Sequence, residues 1–136
     1  MLDSNASEVT VISRFSVPVE STEAFARDAR AALAVLAERP GFIEARIGQS
    51  TDDPELRVIV TRWEGVGAYR KALSNYEVKM SAIPFLSLAI DEPSAFEVVH
   101  ARTPEGVVDS ASGLAADAGL IGLGWASGPD IDSVRT

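Results

Sequence analysis

Apolar and polar positions alternate along the first part of the chain. Val9, Val11, Ser13 and Phe15 fall on one side, and Thr10, Ile12 and Arg14 on the other. A period of two with β-branched residues predicts a strand. Pro18 closes it. Ser21 or Thr22 then offers a side-chain oxygen to the unpaired amides of a helix start, and Glu23 suits the positive end of the dipole. Phe25, Ala29, Ala32, Leu33 and Leu36 recur at spacings of three and four, the stripe of a helix resting on a core. Arg39-Pro40-Gly41 ends it, because proline has no amide proton and clashes with the preceding turn. The period returns to two over Phe42–Gly48, with Ile43, Ala45 and Ile47 against Phe42, Glu44 and Arg46. It does so again over Leu56–Trp63, with Leu56, Val58, Val60 and Arg62 against Arg57, Ile59, Thr61 and Trp63. The polar stretch between them, with Asp52-Asp53-Pro54, reads as the turn of a hairpin. From Val66 the period is helical. Tyr69, Leu73, Tyr76 and Met80 form the stripe that faces the sheet, with Arg70, Lys71, Asn75 and Lys79 off it. Pro84 ends or kinks this helix, and Phe85 to Ile90 reads as a further helical turn. After the break at Asp91-Glu92-Pro93, Ala95 to His100 is a last strand.

Strand, helix, strand, strand, helix, strand is the α+β, ferredoxin-like βαββαβ plan: one antiparallel sheet with both helices on one face. The uncovered face also carries apolar residues and calls for a partner, most economically a second copy packed sheet to sheet. Residues 1–7 read as a disordered lead-in, 8–100 as the domain and 101–136 as an extension. Six of the ten glycines fall in that extension, with Trp125 its only aromatic residue. It reads either as a flexible tail or as a segment that docks through Leu120, Ile121, Leu123 and Trp125.

Composition narrows the function classes. The chain has 136 residues, 46% apolar and 24% charged, the mix of a globular domain. Twelve basic against 20 acidic residues leave a net charge of −8. Nucleic-acid binding and anionic membrane surfaces both need a basic face, so neither is an expected partner. No apolar stretch approaches the ~20 residues that span a bilayer, and the acidic, polar start does not resemble a signal peptide. The absence of cysteine excludes disulfides, thiol catalysis, iron–sulfur clusters and cysteine zinc sites, and fits a cytoplasmic location.

Few residues offer chemistry. His100 is the single histidine and reads as an edge or capping residue. Asp52-Asp53-Pro54-Glu55 reads as solvated loop, and no metal site is expected. Gly122-Leu123-Gly124 lacks the strand and βαβ unit that a dinucleotide loop requires. The cluster that stands out is Trp63 at a strand end with Tyr69 and Tyr76 on the following helix. It reads either as plain core or as the aromatic wall of a pocket between sheet and helices, in which a phenol hydrogen-bonds a flat apolar ligand, with Leu73 beside it. Arg14 and Arg62 lie on strands, where a charge needs a partner. Glu97, Glu44 or solvent can supply it, or the arginines can favour an anionic substrate.

Arg39-Pro40-Gly41-Phe42 leaves the first helix, Val60-Thr61-Arg62-Trp63-Glu64 ends a strand, and a helix follows at once. With the element order, these stretches resemble the antibiotic-biosynthesis-monooxygenase (ABM) family of dimeric α+β barrels over residues 8–100. The resemblance implies a homodimer joined through its sheet faces. Some members oxidise aromatic polyketides with O₂ and no cofactor, and there a tryptophan at the strand end and a tyrosine in the next helix lie in the substrate cavity. Trp63 and Tyr69 match that placement. Haem-degrading members use a helix histidine and a first-strand asparagine. Here Val66 to Ala82 holds no histidine, the first strand has Ser13 and Arg14, and Ala72 stands where other relatives carry a histidine. The expectation is therefore a cofactor-independent monooxygenase acting on a small phenolic or quinol-like aromatic. Trp63, Tyr69 and Arg62 are its candidate catalytic residues, and Arg14, Tyr76 and Leu73 its substrate contacts. A non-catalytic binding module and a structural homodimer are the alternatives.

Overall fold

The computed structural model describes residues 7–111. They form two units, Glu8–Glu97 and Ser7 together with residues 98–111. In the larger unit the order is β1 (Val9–Ser16), α1 (Thr22–Ala37), β2 (Phe42–Gln49), β3 (Leu56–Trp63), α2 (Val66–Leu73), α3 (Tyr76–Ser81), α4 (Ile83–Leu86) and β4 (Ala95–Glu97). The sheet runs β2-β3-β1-β4, every neighbour antiparallel. This is the ferredoxin-like plan that the periodicity predicts.

Alternation decides which residues enter the core. Val9, Val11 and Phe15 of β1 and Ile59, Thr61 and Trp63 of β3 are buried, opposite Phe25, Ala29, Ala32 and Leu36 of α1. One cluster gathers around Trp63, Val9, Val11 and Leu36. Another gathers around Phe15, Phe25 and Phe85, whose ring centroids lie 5.2, 5.3 and 5.4 Å apart. The other rows, with Ile12, Arg14, Val58, Val60 and Arg62, occupy the uncovered face.

Four details depart from the sequence reading, each for a local reason. Ser21 holds the position before α1 without a side-chain cap, and the Thr22 hydroxyl instead donates to the Val19 carbonyl at 2.9 Å, closing a 3₁₀ turn over Val19–Ser21. In β2 the register shifts between Phe42 and Glu44, a bulge that places Phe42 opposite Trp63 and also Ala45 opposite Thr61. Phe42 and Ala45 therefore share the helix side, which strict alternation forbids.

The third departure is the largest. The stripe Tyr69, Leu73, Tyr76, Met80 does not run along one helix, because α2 stops at Leu73 and α3 begins at Tyr76. The Asn75 side chain accepts from the Val78 amide at 3.1 Å, an N-cap that starts a new helix in a new phase. Val78 and Ala82 turn inward, and Tyr76 and Met80 are 76% and 60% exposed. Pro84 then sits in the first turn of α4, where its missing amide proton costs nothing.

The fourth concerns the end of the chain. β4 is only three residues long, and His100–Thr103 (β5) pairs with Gly106–Asp109 (β6) in a separate hairpin. Within that unit His100 Nδ1 lies in hydrogen-bond contact with Asp109, and the Ser7 hydroxyl donates to the Ala111 carbonyl at 2.6 Å. The apolar cluster at Leu120–Trp125 and the Gly122-Leu123-Gly124 stretch lie outside the described residues.

Gly41 is fixed by two constraints at once. Its φ of 88° lies in the left-handed region, and a Cβ built there would sit 2.4 Å from the Ala68 Cβ. Its carbonyl accepts from the Glu64 amide at 2.8 Å, tying the start of β2 to the end of β3. Gly41→Ala is expected to lower stability by more than about 2 kcal/mol, from φ strain and overpacking together. Urea denaturation measures this, and an unchanged midpoint would contradict the close approach.

Candidate functional site

A cavity of about 530 Å³ lies between the helix-side face of the sheet and the helices over it. Val11 and Ser13 of β1 and Ile59 and Thr61 of β3 form its floor. Tyr69 and Leu73 of α2 with Ile83 and Leu86 of α4 cover it, and the segment from Ser87 to Ser94 forms its outer wall. The volume suits a small organic ligand. The break after α2 shapes this space, because a continuous helix would carry Tyr76 and Met80 over the sheet.

The wall segment is held to β1 by backbone and by charge. The Ile90 amide donates to the Arg14 carbonyl at 2.8 Å, and the Ile12 amide to the Ser94 carbonyl at 2.7 Å. Arg14 grips Glu92 with two hydrogen bonds, Nε to Oε2 at 2.8 Å and Nη2 to Oε1 at 2.9 Å. That bidentate fork holds the Glu92 carboxyl below its ordinary pKa, first by hydrogen bonding and then by charge.

The sequence-selected residues separate into three positions. Tyr69 and Leu73 line the cavity. Burial raises the Tyr69 pKa, so the phenol stays protonated and able to donate near neutrality. Trp63 is fully buried behind the cavity rather than in its lining. It packs between Phe42, edge-on at 5.3 Å, and Tyr69 at 5.8 Å, and its Nε1 donates to Thr61 Oγ1 at 2.9 Å. Arg14, Arg62 and Tyr76 do not line the cavity. The strand period turns both arginines to the uncovered face. There Arg62 pairs with Glu8 at 3.0 Å and Glu44 at 3.4 Å, while Arg14 clasps Glu92. Tyr76 points to solvent as the first residue of α3.

Several lining residues were not singled out by sequence. Thr61, Ser13, Glu92 and Ser94 bring the polar groups. Thr61 carried a signal: it is the polar member of the row Ile59, Thr61, Trp63 on an otherwise apolar strand face. The carboxylates at 52–55 belong to the hairpin turn, where Asp53 Oδ1 accepts from the Glu55 amide at 3.0 Å. Among the described residues no three His, Asp or Glu side chains gather in a metal-binding group. No described helix is long and apolar enough to cross a membrane.

Fold and cavity together define a ferredoxin-like α+β domain with a pocket between sheet and helices. The model of the antibiotic biosynthesis monooxygenase family matches residues 8–80, more than half of the chain, and the chain belongs to that family. Among solved structures it is similar to a single-residue variant of SnoaB, a cofactor-independent oxygenase from Streptomyces nogalater. There the identity is 27%, the TM-score 0.59, and the match covers 68% of this chain and 94% of that one. The unsubstituted SnoaB is 29% identical with a TM-score of 0.52 over the same shares. A conserved protein from Methanosarcina mazei shares the fold at 16% identity and a TM-score of 0.57, covering 71% of this chain and 98% of that one. The comparison with curated proteins found no match.

The Arg14–Glu92 clasp has a defined pH signature. The Glu92 pKa is lower in the folded chain than in the unfolded one. Its stabilising effect is therefore complete above the unfolded value of about 4.3 and is lost as pH falls through the folded value. Both side chains are partly exposed, at 44% and 29%, so the effect is modest. Arg14→Met is expected to lower the melting temperature near neutrality, with the gap to the native protein closing in acid. A gap that stays constant on acidification would contradict the clasp.

Proposed function

We propose that this chain is a cofactor-independent monooxygenase that oxidises a small phenolic or quinol-like aromatic with O₂. The observation that carries the reading is the cavity between sheet and helices, covered by apolar residues of α2 and α4 and supplied with hydroxyl-bearing residues Tyr69, Thr61 and Ser13. Family membership and the likeness to SnoaB, itself a cofactor-independent oxygenase, support it.

The substrate provides the electrons. A ring carbon bearing hydrogen, activated by a hydroxyl elsewhere on the ring, becomes a carbonyl. One oxygen atom of O₂ enters that carbonyl and the other leaves as water, so a phenol and O₂ give a quinone and water. The substrate reacts as its anion, in which electron density reaches the carbon that meets O₂. Tyr69 donates a hydrogen bond to the substrate oxygen and steadies that charge. Leu73 and Leu86 hold the ring flat against the sheet floor. Arg62 and Arg14 act at a distance, by holding the uncovered face and the cavity wall.

The decisive measurement is O₂ consumption with a panel of hydroxynaphthalenes and anthrones. One O₂ is expected per quinone formed, with kcat/KM reduced about tenfold or more in Tyr69→Phe. Binding without O₂ uptake would make the chain a binding module. Neither binding nor uptake would leave a structural dimer.

The same reading pairs two copies across the uncovered sheet faces, where Ile12 and Phe96 are exposed beside Val58 and Val60. Val60→Asp is expected to convert a dimer to a monomer in native mass spectrometry. A monomeric native protein would overturn the pairing.

A further inference from the structure

Thr61 occupies an unusual position for a hydroxyl. It is 5% exposed, stands on the central strand and lines the cavity floor. Its Oγ1 already accepts the indole proton of Trp63 at 2.9 Å. A threonine hydroxyl has one proton of its own to donate, and among the described residues none accepts it. A donor on the cavity floor gives its proton to whatever occupies the cavity, water or the oxygen of a ligand. Ser13 and Tyr69 line the same space, but no side-chain hydrogen bond fixes the hydroxyl of either among the described residues. Thr61 is held. Its β-branched side chain has few χ1 choices, and the indole, packed edge-on against Phe42, selects among them.

We propose that Thr61 is the fixed hydrogen-bond donor of the cavity, aimed by Trp63, and that it selects ligands presenting an oxygen acceptor to the sheet floor. Trp63 is on this view a positioning residue that acts on the ligand through Thr61, besides packing against the Tyr69 ring at 5.8 Å. The ligand class is an aromatic whose hydroxylate or carbonyl oxygen enters first, with its apolar ring between α2 and α4. This deepens the proposed oxygenase reading and rests on the cavity being a ligand site.

The test compares 2-naphthol with naphthalene, which differ by one hydroxyl, by calorimetric titration of the full chain. The native protein is expected to prefer the naphthol. Thr61→Val should weaken naphthol binding roughly three- to tenfold, the value of one hydrogen bond, and leave naphthalene binding unchanged. Thr61→Ser should keep most of the preference. In a Tyr69→Phe background, which removes the phenol hydroxyl of the ring packed on Trp63, Trp63→Phe should still lower the naphthol-to-naphthalene ratio although the indole touches neither ligand, whereas a simple packing defect would weaken both alike. Thr61→Val also strips the Trp63 indole of its acceptor. The double variant Thr61→Val with Trp63→Phe removes that complication and should still lack the preference. An unchanged ratio in Thr61→Val, with the native protein binding both compounds, would overturn the assignment and leave the cavity reading standing. A native protein that binds neither compound would overturn the cavity reading and the assignment with it.

Discussion

One row of side chains on β3 must be two things at once. Ile59, Thr61 and Trp63 project to the same side because a strand alternates, and that side is the only one the helices cover. The row is core at Trp63 and cavity floor at Ile59 and Thr61. Because β3 is flanked by β2 and β1, a shift of one residue would send the whole row to the other face. The register with β1, Val9 opposite Trp63 through Ser16 opposite Leu56, is continuous and prevents that slip. The bulge in β2 then delivers Phe42 to the indole without disturbing β3 itself.

Much of this was legible. The bounds of β3 and the inward residues of α1 follow from periodicity alone, since nothing at those positions competes with it. The inward placement of Tyr69 and Leu73 also follows, whereas the aromatic cluster at Trp63 and Tyr69 is consistent in sequence with plain core as well as with a pocket wall. Three things resisted. The bulge depends on the partner strand, so Phe42 and Ala45 could not be put on one side from β2 alone. The break at Ser74-Asn75 hides because Tyr69, Leu73, Tyr76 and Met80 keep helical spacing across it; the clue was an asparagine followed by Glu77 in the next first turn. The hairpin of β5 and β6 lies in a stretch whose composition suggests a tail, although Pro104-Glu105-Gly106 between short β-forming stretches is a turn signal.

The arginines show the limit of reading charges without geometry. The sequence calls for a partner for each, and offers Glu44 for Arg62. It does not point to Glu8 or Glu92, because they come from the lead-in to β1 and from the segment after α4. Pairing requires the chain to return to the strand, which only the folded topology provides. Trp63 shows the same limit in another form. Its type and place marked it as part of a site, but the structure gives its indole proton to Thr61.

The grip of Arg14 on Glu92 reinforces backbone bonds that already tie the cavity wall to β1. The guanidinium stands on the uncovered face of the sheet, while the carboxylate belongs to the wall of the cavity. The strand that frames the uncovered face is thus also the strand that anchors the cavity wall, through this pair and through the backbone bonds at Ile90 and Ser94.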